Sequence, residues 1–543
     1  MSRSGFVTKG MLAALLLLGP ALAAAPKPAP VPRIVQKDGR WAFMLDGAPY
    51  LILGAQANNS SNYPVSLPKV WPAIAQIHAN TLEIPVAWEQ VEPQEGHFDF
   101  SWVDTVVAQA RAHHVHLVLL WFGTWKNTGP SYTPLWVKLN NDRFPRMINS
   151  KGERIYALSP IHRATLDADR KAFVALMTHL KAVNTDNTVI MVQVENETGT
   201  YGCVRDYSPE AQKLFDGPVP DALVTAMHKQ PGNWSAVFGK DADEFFHAYQ
   251  IAHFVNQVAA AGKAVYPLPM YVNAALSDPL AYQDPATYSS GGPTRTVLDV
   301  WKAAAPEIDV LAPDIYVDKY DVAMGDIKWY HRPDNALLVP EIGDMPSYAR
   351  YFFSVLGNQG IGFSPFGIDY TGYVNYPLGA AKMNPEAIAP FAVNYALLGP
   401  WDREWAKLSF EGKVWGVSEP DDRSAQTLDL GGKWIATVTY GQGQFGFTHL
   451  PAPPRAEGQH PDGGLIVAPW GPDEFLVTGF HSRIEFSLAD KSSTRHPMMA
   501  RVEEGHFDKG KWVFERVWNG DQTDYGLNFT SEPQLLRVRL ATY

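Results

Sequence analysis

At 543 residues the chain is too long for one hydrophobic core, so two or three domains are expected. A hydrophobic content of 46% with 19% charged residues is that of a globular protein. The formal charge of −11 argues against nucleic acid and anionic membranes as partners and suits a neutral substrate. In chain order, residues 1–25 read as a secretory signal peptide. Arg3 and Lys9 give a basic start, Met11–Leu18 an apolar core, and Ala21-Leu22-Ala23 a cleavage site. The expectation is export to the periplasm or the extracellular space, with no membrane anchor once the signal is removed. No later stretch reads as transmembrane. The single cysteine, Cys203, leaves no disulfide to form and reads as a buried structural thiol.

After the leader, Trp41–Leu45 is a short apolar run turned by Asp46-Gly47. Eight apolar stretches then read as short strands: Tyr50–Gln56, Asn80–Val86, Val115–Gly123, Val189–Asn196, Met270–Asn273, Ile308–Tyr316, Ala336–Glu341 and Gly360–Phe366. Helical periodicity fills the intervals. Residues 67–79 form one helix. Ser101, read as an N-cap with Asp104 three places on, starts another. Phe173, Leu176, Met177 and Leu180 share a face, as do Ile251, Phe254, Val255 and Val258 in a helix expected to stop at Gly262. Long polar and aromatic inserts occupy residues 124–163 and 203–240. A helix over Pro385–Leu398 closes the series.

Eight strands alternating with helices predict a (β/α)8 TIM barrel over residues 33–400. No glycine-rich phosphate fingerprint follows the first strand, which weakens an open doubly wound sheet. Over residues 401–543 short β-rich runs such as Trp434–Tyr440 alternate with Gly, Pro and Asp turns. They predict a smaller antiparallel β-sandwich domain. The pentapeptide Glu95–Asp99 recurs as Glu504–Asp508, read as coincidence because no longer period accompanies it.

Two strand ends carry a glutamate in apolar surroundings: Glu197 after strand four and Glu341 at the end of strand seven. In a closed barrel both look into the same mouth. Two carboxyls across a pocket can cleave a glycosidic bond, one protonating the leaving oxygen and one attacking the sugar or activating water. Around the first of them, Gln193-Val194-Glu195-Asn196-Glu197 resembles the signature of family 35 glycoside hydrolases, chiefly β-galactosidases. The resemblance implies Glu197 as acid/base, Glu341 as nucleophile, Asn196 as the amide that binds the sugar 2-hydroxyl, and retention of configuration. It also implies a role for Tyr316 beside the nucleophile. The residue after Glu197 is Thr198 where that family has an aromatic, and the family's Ala-Glu-Trp at strand three is here Trp121-Phe122-Gly123-Thr124-Trp125-Lys126-Asn127.

By position at strand ends, Trp121, Trp125, Asn127 and Asn273 are further candidates for substrate binding. Glu195 alternates away from Asn196 and reads as structural, paired with a base. His113, His114 and His116 have no carboxylate cluster beside them, so neither a metal nor another cofactor is expected. The expected function is a retaining exo-glycoside hydrolase, a β-galactosidase, removing terminal β-galactosyl residues from oligosaccharides or plant-wall fragments. The partner is then a carbohydrate substrate with terminal galactose, and a homodimer is the candidate assembly. Another retaining exo-β-glycosidase on the same barrel, or an inactive carbohydrate-binding protein, remain the alternatives.

Overall fold

The computed structural model describes residues 1, 5, 29–441, 452 and 454–543. The signal-peptide reading therefore lies outside the described residues, apart from Met1 and Gly5. Eight parallel strands close into a barrel: Ile52–Gln56, Thr81–Ala87, His116–Lys126, Val189–Asn196, Met270–Ala275, Val310–Ile315, Leu338–Ile342 and Gly362–Pro365. A helix follows every strand, from Leu67–Ile77 after the first to Pro385–Leu398 after the eighth. The expected barrel is present, and each strand overlaps its predicted stretch.

Alternation along the strands decides which side chains fill the barrel and which meet the helices. Val118, Leu120 and Phe122 point inward, packing with Ile52, Tyr271, Val310, Ala312 and Leu338. Phe43, Leu45 and Tyr50 join this inner cluster from a three-stranded sheet, Arg33–Lys37, Arg40–Leu45 and Ala48–Tyr50. That sheet plugs the end of the barrel where the strands begin, so only the carboxyl ends remain open. Leu117, Leu119 and Trp121 point outward and pack under the helices.

Two local readings need correction. Ser101 is the first helical residue, not the cap; its N–H donates to Asp99 Oδ1 at 2.8 Å, while Asp104 faces His179. Gly262 does not end its helix, which runs Ala242–Val265. A Cβ there would strike the Phe173 ring, so this glycine lets two helices approach closely rather than terminating one. The two inserts hold short elements, including the ribbon Arg146–Ile148 with Arg154–Leu158 and the helix Pro209–Asp216.

The C-terminal part is two antiparallel sheets. One has six strands, from Trp415–Ser418 at its edge to Lys511–Val517; the other has four, among them Trp434–Tyr440 and Ser482–Leu488. Inward residues such as Trp434, Val438, Leu465, Val477 and Leu536 form its own core. The helix Asp402–Glu411 just before it belongs with the barrel end: Asp402 accepts from Asn80 Nδ2 and Arg403 reaches the Leu45 carbonyl. Glu95–Asp99 is a turn and Glu504–Asp508 lies in a strand, so the repeated pentapeptide has no common structure.

The sandwich is fastened to the helix Tyr351–Gly357 that follows barrel strand seven. Ser354 and Ser418 hydroxyls meet at 2.7 Å, and buried Arg350 donates to the Glu419 carbonyl at 2.9 Å and to Asp421 Oδ1 at 2.8 Å. Gly357 lies so close to Gly416 that a Cβ on the first would strike the backbone of the second.

Candidate active site

The open end of the barrel forms a cavity of about 750 Å³. Its floor carries Glu197 from strand four, Asp314 and Tyr316 from strand six, and Glu341 from strand seven; Lys126 and Asn127 enter from strand three. All lie at carboxyl ends of strands, where barrel enzymes hold their chemistry. Glu197 is 9% exposed, Glu341 4% and Asp314 2%. One carboxyl oxygen from each of these three lies within 4.8 Å of the others.

Backbone irregularity brings the two glutamates to this floor. Simple alternation from outward Val339 would turn Glu341 outward as well. The pairing of strands seven and eight shifts register between Val339 and Ile342, and this bulge re-aims Glu341 into the mouth. At the end of strand four Glu195 and Glu197 both have positive φ, 64° and 45°. Non-glycine residues adopt that conformation only where surrounding contacts hold them there. Gly199 then lets the chain pass Ser289, where a Cβ would collide.

The contacts that hold Glu195 correct its expected partner. It pairs with an acid, not a base. Its carboxyl hydrogen-bonds that of Asp169 on the helix Arg163–Val183, and both are fully buried. Burial first, then the Asp169 charge, pushes the Glu195 carboxyl far above the usual range, and because Asp169 has three other donors and Glu195 only one, the contacts leave the shared proton on Glu195. Asp169 also accepts from Trp121 Nε1 at 2.9 Å, Thr124 N at 3.0 Å and Thr124 Oγ1 at 2.5 Å, while Glu195 Oε2 accepts from Trp125 N at 2.8 Å. One proton thus links a helix to the ends of strands three and four.

Glu341 is supplied with donors. Tyr316 Oη donates to its Oε1 at 2.5 Å, and Gln56 Nε2 donates to its Oε2 at 3.1 Å. Burial, followed by the charge on Glu197, pushes the Glu341 carboxyl up to about 7; Lys126 and the two donors pull it back. Burial also keeps the Tyr316 phenol protonated far above its usual range. Deeper in the barrel, Glu83 accepts from Ser364 Oγ at 2.5 Å and Tyr271 Oη at 3.1 Å. Burial pushes this carboxyl up to about 8.

Asn196 is fully buried against Gln193 at 3.0 Å, Asn127 at 3.1 Å and Asn273 at 3.3 Å. Asn273 Oδ1 accepts the Glu197 backbone N–H at 3.0 Å, and its Nδ2 donates to Asp314 Oδ2 at 2.7 Å. Asn273 therefore positions the two acids rather than lining the cavity. Asn127 does line it, with φ 51°, and accepts from Lys126 Nζ at 2.6 Å. Trp121 and Trp125 need correction as substrate-binding candidates. Both are buried outside the cavity, Trp121 against Phe173 and Trp125 against Phe254, because alternation turns them toward the helices.

Gln56, Lys126 and Asp314 are site residues that the sequence reading missed. Asp314 was within reach: if Tyr316 faces inward, period two brings residue 314 to the same side. Among the described residues, Glu197, Asp314 and Glu341 form the one acidic cluster with spacing that could hold a metal ion. Three oxygens fall well short of the six to eight that Ca²⁺ takes, and the charge of Lys126 acts on two of the three acids. His116 is spent on the Asn187 carbonyl and His113 stacks on Trp71. Cys203 is buried beside the Arg205 carbonyl, and burial pushes its thiol up to about 11, as befits a structural residue.

A family model described as beta-galactosidase, that of glycoside hydrolase family 42, matches residues 71–245, which include Glu197 but not Glu341. A second, described as a domain of unknown function (DUF5597), matches residues 391–530. A beta-galactosidase of Xanthomonas manihotis is 29% identical over 259 residues, 42% of this chain and 40% of that protein. Beta-galactosidase BgaA of Clostridium cellulovorans is 32% identical over 160 residues, 28% of this chain and 22% of that one. The chain thus spans less than half the length of either relative. Among solved structures, the beta-galactosidase from Rahnella sp. R3 aligns at 15% identity with a TM-score of 0.45, covering 67% of this chain and 61% of that one. That from Bacillus circulans sp. alkalophilus gives 14% and 0.45, covering 66% and 60%. Likeness at that level carries no argument. The sequence matches liken residues 71–245 of the barrel to β-galactosidases, without singling out family 35.

Proposed function

We propose that the protein is a retaining exo-glycoside hydrolase that removes terminal β-galactosyl residues from oligosaccharides or plant-wall polysaccharide fragments. The observation that carries this reading is the approach of Glu197 and Glu341 oxygens within 4.8 Å at the floor of one cavity. Inverting enzymes hold their carboxyls roughly 6.5–9.5 Å apart to admit a water; retaining enzymes hold them about 5–5.5 Å apart. The low exposure of both acids supports an exo mode, in which a chain end enters the cavity. The galactosyl preference is drawn from the relatives and from the family 35 likeness of Gln193–Glu197.

Glu341 is the nucleophile. Tyr316 and Gln56 donate to its oxygens, which orients the carboxylate and favours the ionised form. It attacks the sugar carbon while Glu197 gives its proton to the departing oxygen. Glu197 then takes a proton from the water that releases the sugar. Asn196, fully buried behind Asn127, is the amide that the family 35 likeness assigns to the sugar 2-hydroxyl. Nothing in this sequence requires a metal. Export, carbohydrate as the partner and a homodimeric state belong to the same proposal.

The test is turnover of a panel of nitrophenyl glycosides, with the first-formed anomer followed by proton NMR. The expected result is β-galactoside cleavage with a β-configured product. Cleavage of a different β-glycoside would keep the chemistry and replace the sugar. An α-configured first product would overturn retention, and binding without turnover would make the barrel a carbohydrate-binding protein. Dialysis against a chelator should leave the rate unchanged. Mass measurement from the native host should show loss of about the first 23 to 25 residues.

A further inference from the structure

The cavity floor holds a third acid that the two-carboxyl scheme does not use. Asp314 is paired in register with Glu341 on the neighbouring strand, and one of its oxygens lies within 4.8 Å of both catalytic oxygens. Its Oδ2 is held by Asn273 Nδ2 at 2.7 Å, and that same amide fixes the backbone of Glu197 through its other end. Its Oδ1 is buried, and no described residue donates to it. A carboxylate oxygen buried without a donor is costly, and a carboxyl oxygen that carries a proton is not.

The two glutamates differ in what surrounds them. Glu341 receives hydrogen bonds from Tyr316 and Gln56. Among the described residues, no side-chain or backbone donor reaches the Glu197 carboxyl other than through its contact with Asp314. Yet Glu197 must pass through an anionic state in the middle of the reaction. Resting on the function proposed above, we propose that Asp314 is a positioning residue for the acid/base: its Oδ1 holds a proton that it donates to Glu197 whenever Glu197 is ionised.

The proton balance is simple. In the first step Glu197 transfers its proton to the leaving oxygen and becomes a carboxylate. The Asp314 hydroxyl hydrogen-bonds the new anion and keeps its own proton. In the second step Glu197 takes a proton from water, and the sugar receives the remaining hydroxyl. Asp314 starts and ends neutral. The surroundings agree with a neutral Asp314. Glu197 and Glu341 face it as negative groups, and the phenols of Tyr201, Tyr271, Tyr316 and Tyr330 stand around it. Lys126 is the cation that acts on it. Burial, then the charges of Glu341 and Glu197, pushes its carboxyl well above the usual range.

Asp314→Asn and Asp314→Ala separate the readings, because the amide still donates to Glu197 and accepts from Asn273 while the methyl does neither. Three measurements apply. A methyl β-galactoside has a poor leaving group that needs the Glu197 proton, so its kcat/KM reports the first step, in which Glu197 becomes an anion; a dinitrophenyl galactoside, whose leaving group departs unaided, is the control. Active sites are counted by trapping with a 2-fluoro sugar. On the methyl galactoside D314A should lose about tenfold or more in kcat/KM per trapped site, as expected for one charge-assisted hydrogen bond to the forming anion, and much less on the dinitrophenyl galactoside. D314N should recover most of that loss. The basic limb of kcat/KM should rise in pH for D314A and stay in place for D314N. A fall of that limb in D314N, as loss of a like charge would give, would overturn the proposal; so would an undiminished kcat/KM of D314A on the methyl galactoside. The third readout needs no turnover: the infrared difference between wild type and D314N at neutral pH should show loss of a protonated carboxyl stretch. Its absence defeats the inference even in an active enzyme. Its presence in a protein that cleaves no glycoside would instead defeat the functional reading alone.

Discussion

Tyr316 Oη donates to Glu341 Oε1 at 2.5 Å, from the strand next to the one that carries the glutamate. This bond favours the ionised form of an acid whose burial and whose neighbour Glu197 oppose ionisation. Tyr316→Phe removes it. The Glu341 carboxyl then rises further, so the acid limb of kcat/KM moves to higher pH. A charge-assisted hydrogen bond contributes about 1.5–3 kcal/mol, which is roughly 10- to 100-fold in kcat/KM at neutral pH. A pH profile of the variant checks both sign and size; an unmoved limb would separate the phenol from the nucleophile's ionisation.

The two glutamates should give opposite anomers when each is removed. In Glu197→Ala a good leaving group still departs, the glycosyl-enzyme accumulates, and azide attacks it to give a β-glycosyl azide. In Glu341→Ala azide attacks the substrate directly and gives the α-azide. Proton NMR of the products reads the difference. Exchanged anomers would reverse the roles assigned here.

Glu195 acts through a proton rather than a charge. Glu195→Gln keeps a donor toward Asp169 and an acceptor toward Trp125 N–H, so stability and activity should stay close to wild type. Glu195→Ala leaves Asp169 buried without one of its donors and opens a void. A loss of about 2–4 kcal/mol is expected, with a fall in activity because the Asn196-Glu197 backbone is freed. Denaturant unfolding of the two variants distinguishes this from an ionised Glu195, for which glutamine would be the damaging change.

Glu83 sets a pH dependence of stability. Its folded carboxyl lies at about 8, above the ordinary unfolded value. The folded state therefore binds more protons between the two values, and stability falls as pH rises across that window. Below the unfolded value the contribution is fully present; above about 8 it has been lost. Glu83→Gln removes the ionisable group, so the difference in Tm between wild type and variant should grow in favour of the variant from pH 6 to pH 9. A difference independent of pH would show that Glu83 does not titrate in this range.

Much of this molecule was legible as periodicity. Eight apolar runs and their helices gave the barrel because parallel strands buried on both faces must be apolar throughout. Legibility failed where a local rule was broken by a contact from elsewhere. Trp121 lies in mid-strand and points outward, and only the inward packing of Leu120 and Phe122 reveals it. Gly262 looks like a stop until Phe173 is seen across from it. Glu341 faces the cavity through a bulge, and Glu195 and Glu197 take positive φ where glycine would be the ordinary choice. Gln56 belongs to the site because strands one and seven both end at the same floor, a closeness that no window of sequence contains. Glu195 was rightly read as structural, but an acid as its partner could not be guessed without knowing that Asp169 is fully buried.

The seam between the helix Tyr351–Gly357 and the strand Trp415–Ser418 has a consequence for inheritance. Gly357 and Gly416 leave no room for a methyl group between them, and the Gly464 backbone lies against the Phe353 ring. The partners on either side come from stretches of chain more than fifty residues apart. A recombination joining this barrel to a sandwich from a distant relative would bring ordinary side chains into that seam. The strain would fall on the helix that follows the strand bearing Glu341. Selection is then expected to pass the two halves of this gene on together, and to allow changes at the seam only in matched pairs.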